Sequence, residues 1–109
     1  MKVLVIPEVY DYLDELVTIL YEKGYFGFED FAIDYVDDLL DDILTILPAK
    51  THKPAPNYFH KYGKDLYYAV FPKNNRTTWY AFFTKYQENG EIIYLIRYIG
   101  NNHAIAQYL

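Results

Sequence analysis

The chain contains no cysteine. That excludes a disulfide framework, a thiol nucleophile and any cysteine-based metal site, and it suits a reducing compartment. The first apolar run, MKVLVIP, is too short for a signal peptide or a membrane span. A soluble, cytoplasmic protein with no membrane partner is therefore expected. There is no glycine-rich loop to cradle a phosphate and no serine or cysteine triad, and His52 and His60 lack zinc-type spacing with any thiol. Neither a metal nor a cofactor is expected. Charge of one sign is also missing locally. Residues 1–47 hold only Lys2 and Lys23 as cations, and residues 48–64 hold no carboxylate.

At 109 residues the chain has the length of one domain and can bury a real core. Aromatic residues make up 20 %, mostly the 14 Tyr, which suit half-buried, hydrogen-bonding surfaces. The formal net charge of −5 hides a segregation: residues 1–47 carry −10 and residues 48–109 carry +5. The field near the second part can attract phosphates although the chain as a whole is acidic.

Lys2 to Ile6 reads as a short strand ended by Pro7. A helix is expected from about Glu8 to Lys23, on a stripe of Val9, Leu13, Leu16, Val17 and Leu20, with Gly24 as its stop. A second is expected from Phe28 to Leu47, on Ala32, Tyr35, Val36, Leu39, Ile43, Ile46 and Leu47. The aspartates Asp34, Asp37, Asp38, Asp41 and Asp42 form its other face, read as solvated because no ligands converge on it from elsewhere. Residues 48–64 contain three prolines, which argue against a helix or a central strand. A long basic, aromatic surface loop with at most an edge segment is expected there. Strands at Asp65–Phe71, Thr77–Tyr86 and from Glu91 follow, the last pair joined by an Asn89-Gly90 hairpin signal. The expected architecture is an α+β two-layer sandwich of order β-α-α-β-β-β. Its N-terminal strand and helical hairpin pack on an antiparallel sheet.

The last stretch, EIIYLIRYIGNNHAIAQYL, is the most informative. Its apolar strand ends at Gly100-Asn101-Asn102 and gathers Arg97, His103 and Tyr108 near the strand end. Upstream, Lys53, Lys61 and Lys64 interleave with Tyr58 and Tyr62, the pattern of charge plus stacking that tracks single-stranded nucleic acid. Each feature also has a purely structural reading. Arg97 can pair with a helix carboxylate or stack on rings, His103 can cap a turn, Tyr108 can pack the chain end, and the basic loop can be a solvated linker.

The order of elements, together with RTTWYAFF in the middle strand and YLIRYIGNNHAIAQYL at the end, resembles the RelE/ParE superfamily of type II toxin–antitoxin toxins. Gly100 and Tyr108 match the family's glycine and closing tyrosine, and Arg76 lies near its middle-strand arginine. The resemblance covers nearly the whole chain and implies one RelE/ParE-like domain over residues 1–109. It implies a toxin partnered by an antitoxin protein, cutting messenger RNA at the ribosome without a metal, or alternatively a non-enzymatic protein-binding module such as an inhibitor of DNA gyrase. Under the first reading Arg97 and Arg76 hold the phosphate, His103 moves a proton, and Tyr108 stacks on a base or donates a proton. Lys53, Lys61 and Lys64 would bind RNA. The chain departs from the RNA-cutting branch in Leu66-Tyr67-Tyr68-Ala69, where basic residues are usual, and in Asn102, where an arginine is usual.

Overall fold

The computed structural model describes residues 1–109. Strand β1 (Lys2–Val5) is followed by helices α1 (Pro7–Glu22) and α2 (Glu29–Ile46). A two-residue strand β2 (Lys53–Pro54) precedes the long strands β3 (Tyr67–Pro72), β4 (Thr78–Glu88) and β5 (Glu91–Asn101), and the short helix α3 (Asn102–Ile105) and a 3₁₀ turn (Ala106–Tyr108) close the chain. The fold is α+β, with the helical pair on one face of a five-stranded sheet.

Pro7 both ends β1 and opens α1. Its missing N–H falls where a helix has no internal partner, and the Ile6 carbonyl accepts from Val9 N–H at 3.0 Å. Gly24, at φ +75°, closes α1 by letting Tyr25 N–H reach back to the Leu20 carbonyl at 3.1 Å. In α2 the buried residues Ala32, Val36, Leu39 and Ile43 recur at helical spacing, so the aspartates are left facing water.

The strand order is β1-β5-β4-β3-β2. The meander β3-β4-β5 is antiparallel, as expected, and β1 joins it in parallel with β5, with Lys2 opposite Ile93 and Val5 opposite Ile96, so the five-stranded sheet is mixed. The helical hairpin supplies the long crossover that a parallel pair needs. The middle position belongs to β4, and β1 lies at the edge.

Two cores sandwich the sheet. Beneath α1 and α2 lie Phe71, Trp79, Phe83, Ile96 and Ile99, and Trp79 donates its indole N–H to the Tyr35 hydroxyl at 2.9 Å. The opposite face carries Phe82, packed with Phe59, Leu66 and Ile105. This second core corrects the expectation for residues 48–64. Pro56 immediately precedes a 3₁₀ helix, Asn57–Tyr62, that lays Phe59 against Phe82 with ring centroids 4.3 Å apart. A proline before the first turn costs that helix nothing, since the first N–H groups have no partner anyway.

Strand β5 also runs one residue past the expected glycine stop, to Asn101. Gly100 is buried, and a Cβ there would lie 3.0 Å from the Tyr98 hydroxyl and 3.3 Å from Ile105 Cδ1. The glycine therefore serves the close approach of α3 to the sheet rather than the end of the strand.

Candidate nucleic-acid interface

The site begins with a break in register. Phe82 of β4 pairs with Tyr98 of β5, but Phe83 pairs with Ile96, leaving Arg97 as the extra residue of a β-bulge. In a regular strand neighbouring side chains take opposite faces. Here Ile96 and Ile99 both enter the helix-side core, and the two residues between them serve the other face.

Arg97 is held there by two hydroxyls. Its Nε donates to Thr84 Oγ1 at 3.0 Å and its Nη2 to the Tyr86 hydroxyl at 2.7 Å. Gly63, just after the 3₁₀ helix, packs on the stem, since a Cβ at Gly63 would lie 2.9 Å from Arg97 Cδ. The two ion pairs of the structure join the N-terminus to Glu91 and Lys73 to Asp42, so the half-buried guanidinium has no carboxylate partner. The Thr84 hydroxyl, then the guanidinium, hold the Tyr86 phenol below the ordinary tyrosine range. Gly63, Lys64, Asp65, Thr84, Lys85, Tyr86 and Arg97 line a polar groove of about 360 Å³.

Beside it lies an exposed aromatic cluster. Tyr108 stacks on Tyr58 with centroids 3.6 Å apart, and Lys61 Nζ sits 4.1 Å from the Tyr58 ring centroid. Tyr62 stacks on Tyr98 at 4.1 Å. A hydrogen bond with Lys61 lowers the Tyr58 phenol, and a hydrogen bond with Tyr58 raises that of Tyr108. Cation–π contact and ring stacking thus order a surface that the sequence shows only as alternating Lys and Tyr.

Tyr98 is pushed up to about 12, first by burial and then by Tyr62. The fold favours its neutral phenol, so the stabilisation is complete below the unfolded value of about 10 and is lost as pH climbs to about 12. Alkaline unfolding followed by circular dichroism should therefore be shallower for Tyr98→Phe across that window. Identical curves for the two proteins would remove this role of Tyr98.

The other proposed residues lie apart. His103 and Arg76 are at the far end of the β4–β5 pair. Asn101 Oδ1 caps α3 by accepting from His103 N–H at 3.0 Å and Ala104 N–H at 3.3 Å. His103 Nε2 is 3.2 Å from Thr77 Oγ1, and Asn102 donates to the Arg76 carbonyl at 3.0 Å. From Arg97 to Asn101 the strand covers about 13 Å. The guanidinium points the other way, toward Tyr86, which is paired with Ile93. Lys53 sits on the opposite sheet edge, paired with Tyr68.

The structure thus groups Arg97, Lys61 and Lys64, with Tyr108 beside Lys61, and leaves His103, Arg76 and Lys53 outside. Thr84 and Tyr86 are the members that sequence reasoning missed. Their signal was present in the strand TTWYAFFTKY, where Thr84 and Tyr86 share a face at a spacing of two, but nothing local marks that face as the one carrying Arg97. No three His, Asp or Glu side chains converge as metal ligands would. No helix is long and apolar enough to cross a membrane.

Fold and surface together define an α+β protein with an acidic helical layer and a basic, tyrosine-rich surface on the opposite sheet face. Comparison of the chain with protein-family models, curated proteins and solved structures returned no match.

Proposed function

We propose that this chain is the toxin component of a RelE/ParE-type toxin–antitoxin pair, acting in the cytoplasm on messenger RNA at the ribosome. The observation that carries this reading is Arg97, a half-buried guanidinium with no carboxylate partner, set between Lys61 and Lys64 beside stacked tyrosines. Such a group favours an anion, and stacked rings beside it favour a nucleic-acid strand over a free phosphate. The element order is that of the family the sequence resembles. The acidic helical layer, on the opposite side of the sheet, is left for a basic antitoxin segment.

Cleavage at this groove would be metal-independent transesterification. The ribose 2′-oxygen bonds to the adjacent phosphorus, the bond from phosphorus to the 5′-oxygen breaks, and the 2′ proton passes by way of protein groups to the leaving oxygen. Arg97 has N–H groups left to stabilise the crowded phosphate. Tyr86, its phenol lowered, stands where a proton can be taken.

A specific observation favours a second reading, a non-enzymatic binder such as a gyrase-type inhibitor or an inactive relative. His103, the one imidazole among the candidates, is engaged by Thr77 at the far end of the strand. Purified protein added to translating ribosomes separates the two. Messenger RNA cut by the native chain and spared by Tyr86→Phe and Arg97→Ala supports the nuclease. Uncut RNA, with growth arrest that survives both substitutions, sinks it, and capture of DNA gyrase from a lysate would then mark the second reading.

A further inference from the structure

Arg97 is the shared wall of two grooves. The polar one holds Lys64, Thr84 and Tyr86. The other, of about 390 Å³, lies between the start of α1 and the 3₁₀ helix, with Val9, Tyr12, Tyr62, Tyr98 and Ile99 among its walls. We infer that this second groove is a nucleobase subsite, seating one base of a single-stranded RNA whose phosphate lies on Arg97. The inference rests on the RNA reading given above.

Three observations carry it. The groove falls within the roughly 300–1,000 Å³ of small-molecule sites and, like them, is mainly apolar with a few polar groups in its walls. Its aromatic wall is a prepared one: Tyr62 and Tyr98 are stacked nearly parallel, at 7°, so a base that meets them meets rings already fixed in place. Burial raises both the Tyr12 and Tyr98 phenols, as expected of half-buried rings along a groove wall. Charge then sets the polarity of the ligand. Glu8 is the carboxylate of this groove and repels a phosphate, whereas Arg97 and Lys61 attract one at its edge. A ligand with a flat apolar part next to an anion satisfies both compartments, and a nucleotide within a strand is such a ligand. A free anion would leave the aromatic compartment empty, and an apolar peptide side chain would leave the guanidinium without a counter-charge.

The test uses a fluorescently labelled short oligoribonucleotide and counterparts made abasic at one position at a time, with binding read by anisotropy. One abasic position should weaken binding by about 5- to 150-fold, the cost of losing one base stack. Tyr62→Ala should weaken the intact strand to the same extent and leave binding of that abasic strand unchanged, while Tyr62→Phe binds like the native chain. Equal binding of every abasic strand would overturn the subsite and leave the RNA reading standing on charge alone. An equal loss by Tyr62→Ala on intact and abasic strands would overturn it too, by showing that Tyr62 acts through the loop. Ring signals of Tyr12 and Tyr62 that stay still during an RNA titration while Lys64 signals move would also overturn the subsite, by placing the strand on the polar groove alone. No binding of any RNA would remove both the subsite and the reading beneath it.

Discussion

Arg97→Ala is expected to weaken binding of single-stranded RNA by about 10- to 150-fold, the value of a charge-assisted hydrogen bond to phosphate of about 1.5–3 kcal/mol. The slope of log affinity against log salt should flatten by about 0.7, as one phosphate contact is lost from a single strand. Arg97→Lys keeps the charge but not the planar fork, so its affinity should fall between the two. The substitution has a second effect that must be separated from the first. Arg97 Nε serves the buried Thr84 hydroxyl, which alanine leaves without that partner. Arg97→Ala should thus also lower the melting temperature, and Arg97→Ala combined with Thr84→Val should recover much of that loss without recovering binding. Affinity that returns with the double variant would show that Arg97 acts on the fold alone.

Phe59→Ala is expected to cost about 3–5 kcal/mol of unfolding free energy, the usual effect of truncating a fully buried aromatic residue. Phe59 has no exposed surface and stacks on Phe82, so it is the peg that fastens the 3₁₀ helix to the sheet. Its loss should also free Lys61 and Tyr58 from their ordered positions, so RNA affinity should fall even at temperatures where the chain remains folded. Phe59→Leu, which keeps much of the volume, should cost less than about 1.5 kcal/mol and spare binding. Urea unfolding curves measure the first effect and anisotropy the second. A Phe59→Ala protein as stable as the native chain would mean that the second core contributes little.

Much of the helix-side layer was legible in the chain because its signals are local and periodic. Val9, Leu13 and Leu16 on one helix and Ala32, Val36, Leu39 and Ile43 on the next announce buried stripes. Asn89-Gly90 announces its hairpin, and both residues do take positive φ. Residues 48–64 were harder to read, because proline excludes a regular helix without excluding a 3₁₀ turn placed just after it. The direction of β1 was not legible either. A four-residue strand carries no mark of whether its partner runs parallel or antiparallel, and only the crossover through α1 and α2 decides it.

The composition of the candidate site was set by the sequence: the lysines, tyrosines and single strand arginine of residues 48–109, with twelve of the fifteen carboxylates gathered in residues 1–47. Its assembly was set by the tertiary structure, at one residue. The bulge opposite Phe82 and Phe83 sets Tyr98 on the same face as Arg97, so the guanidinium held by Thr84 and Tyr86 shares a surface with the stacked tyrosines. A strand's side chains alternate with a period of two, so a single inserted residue changes which face every later residue occupies. That insertion is defined only by pairing with the neighbouring strand, which no local pattern in the sequence records.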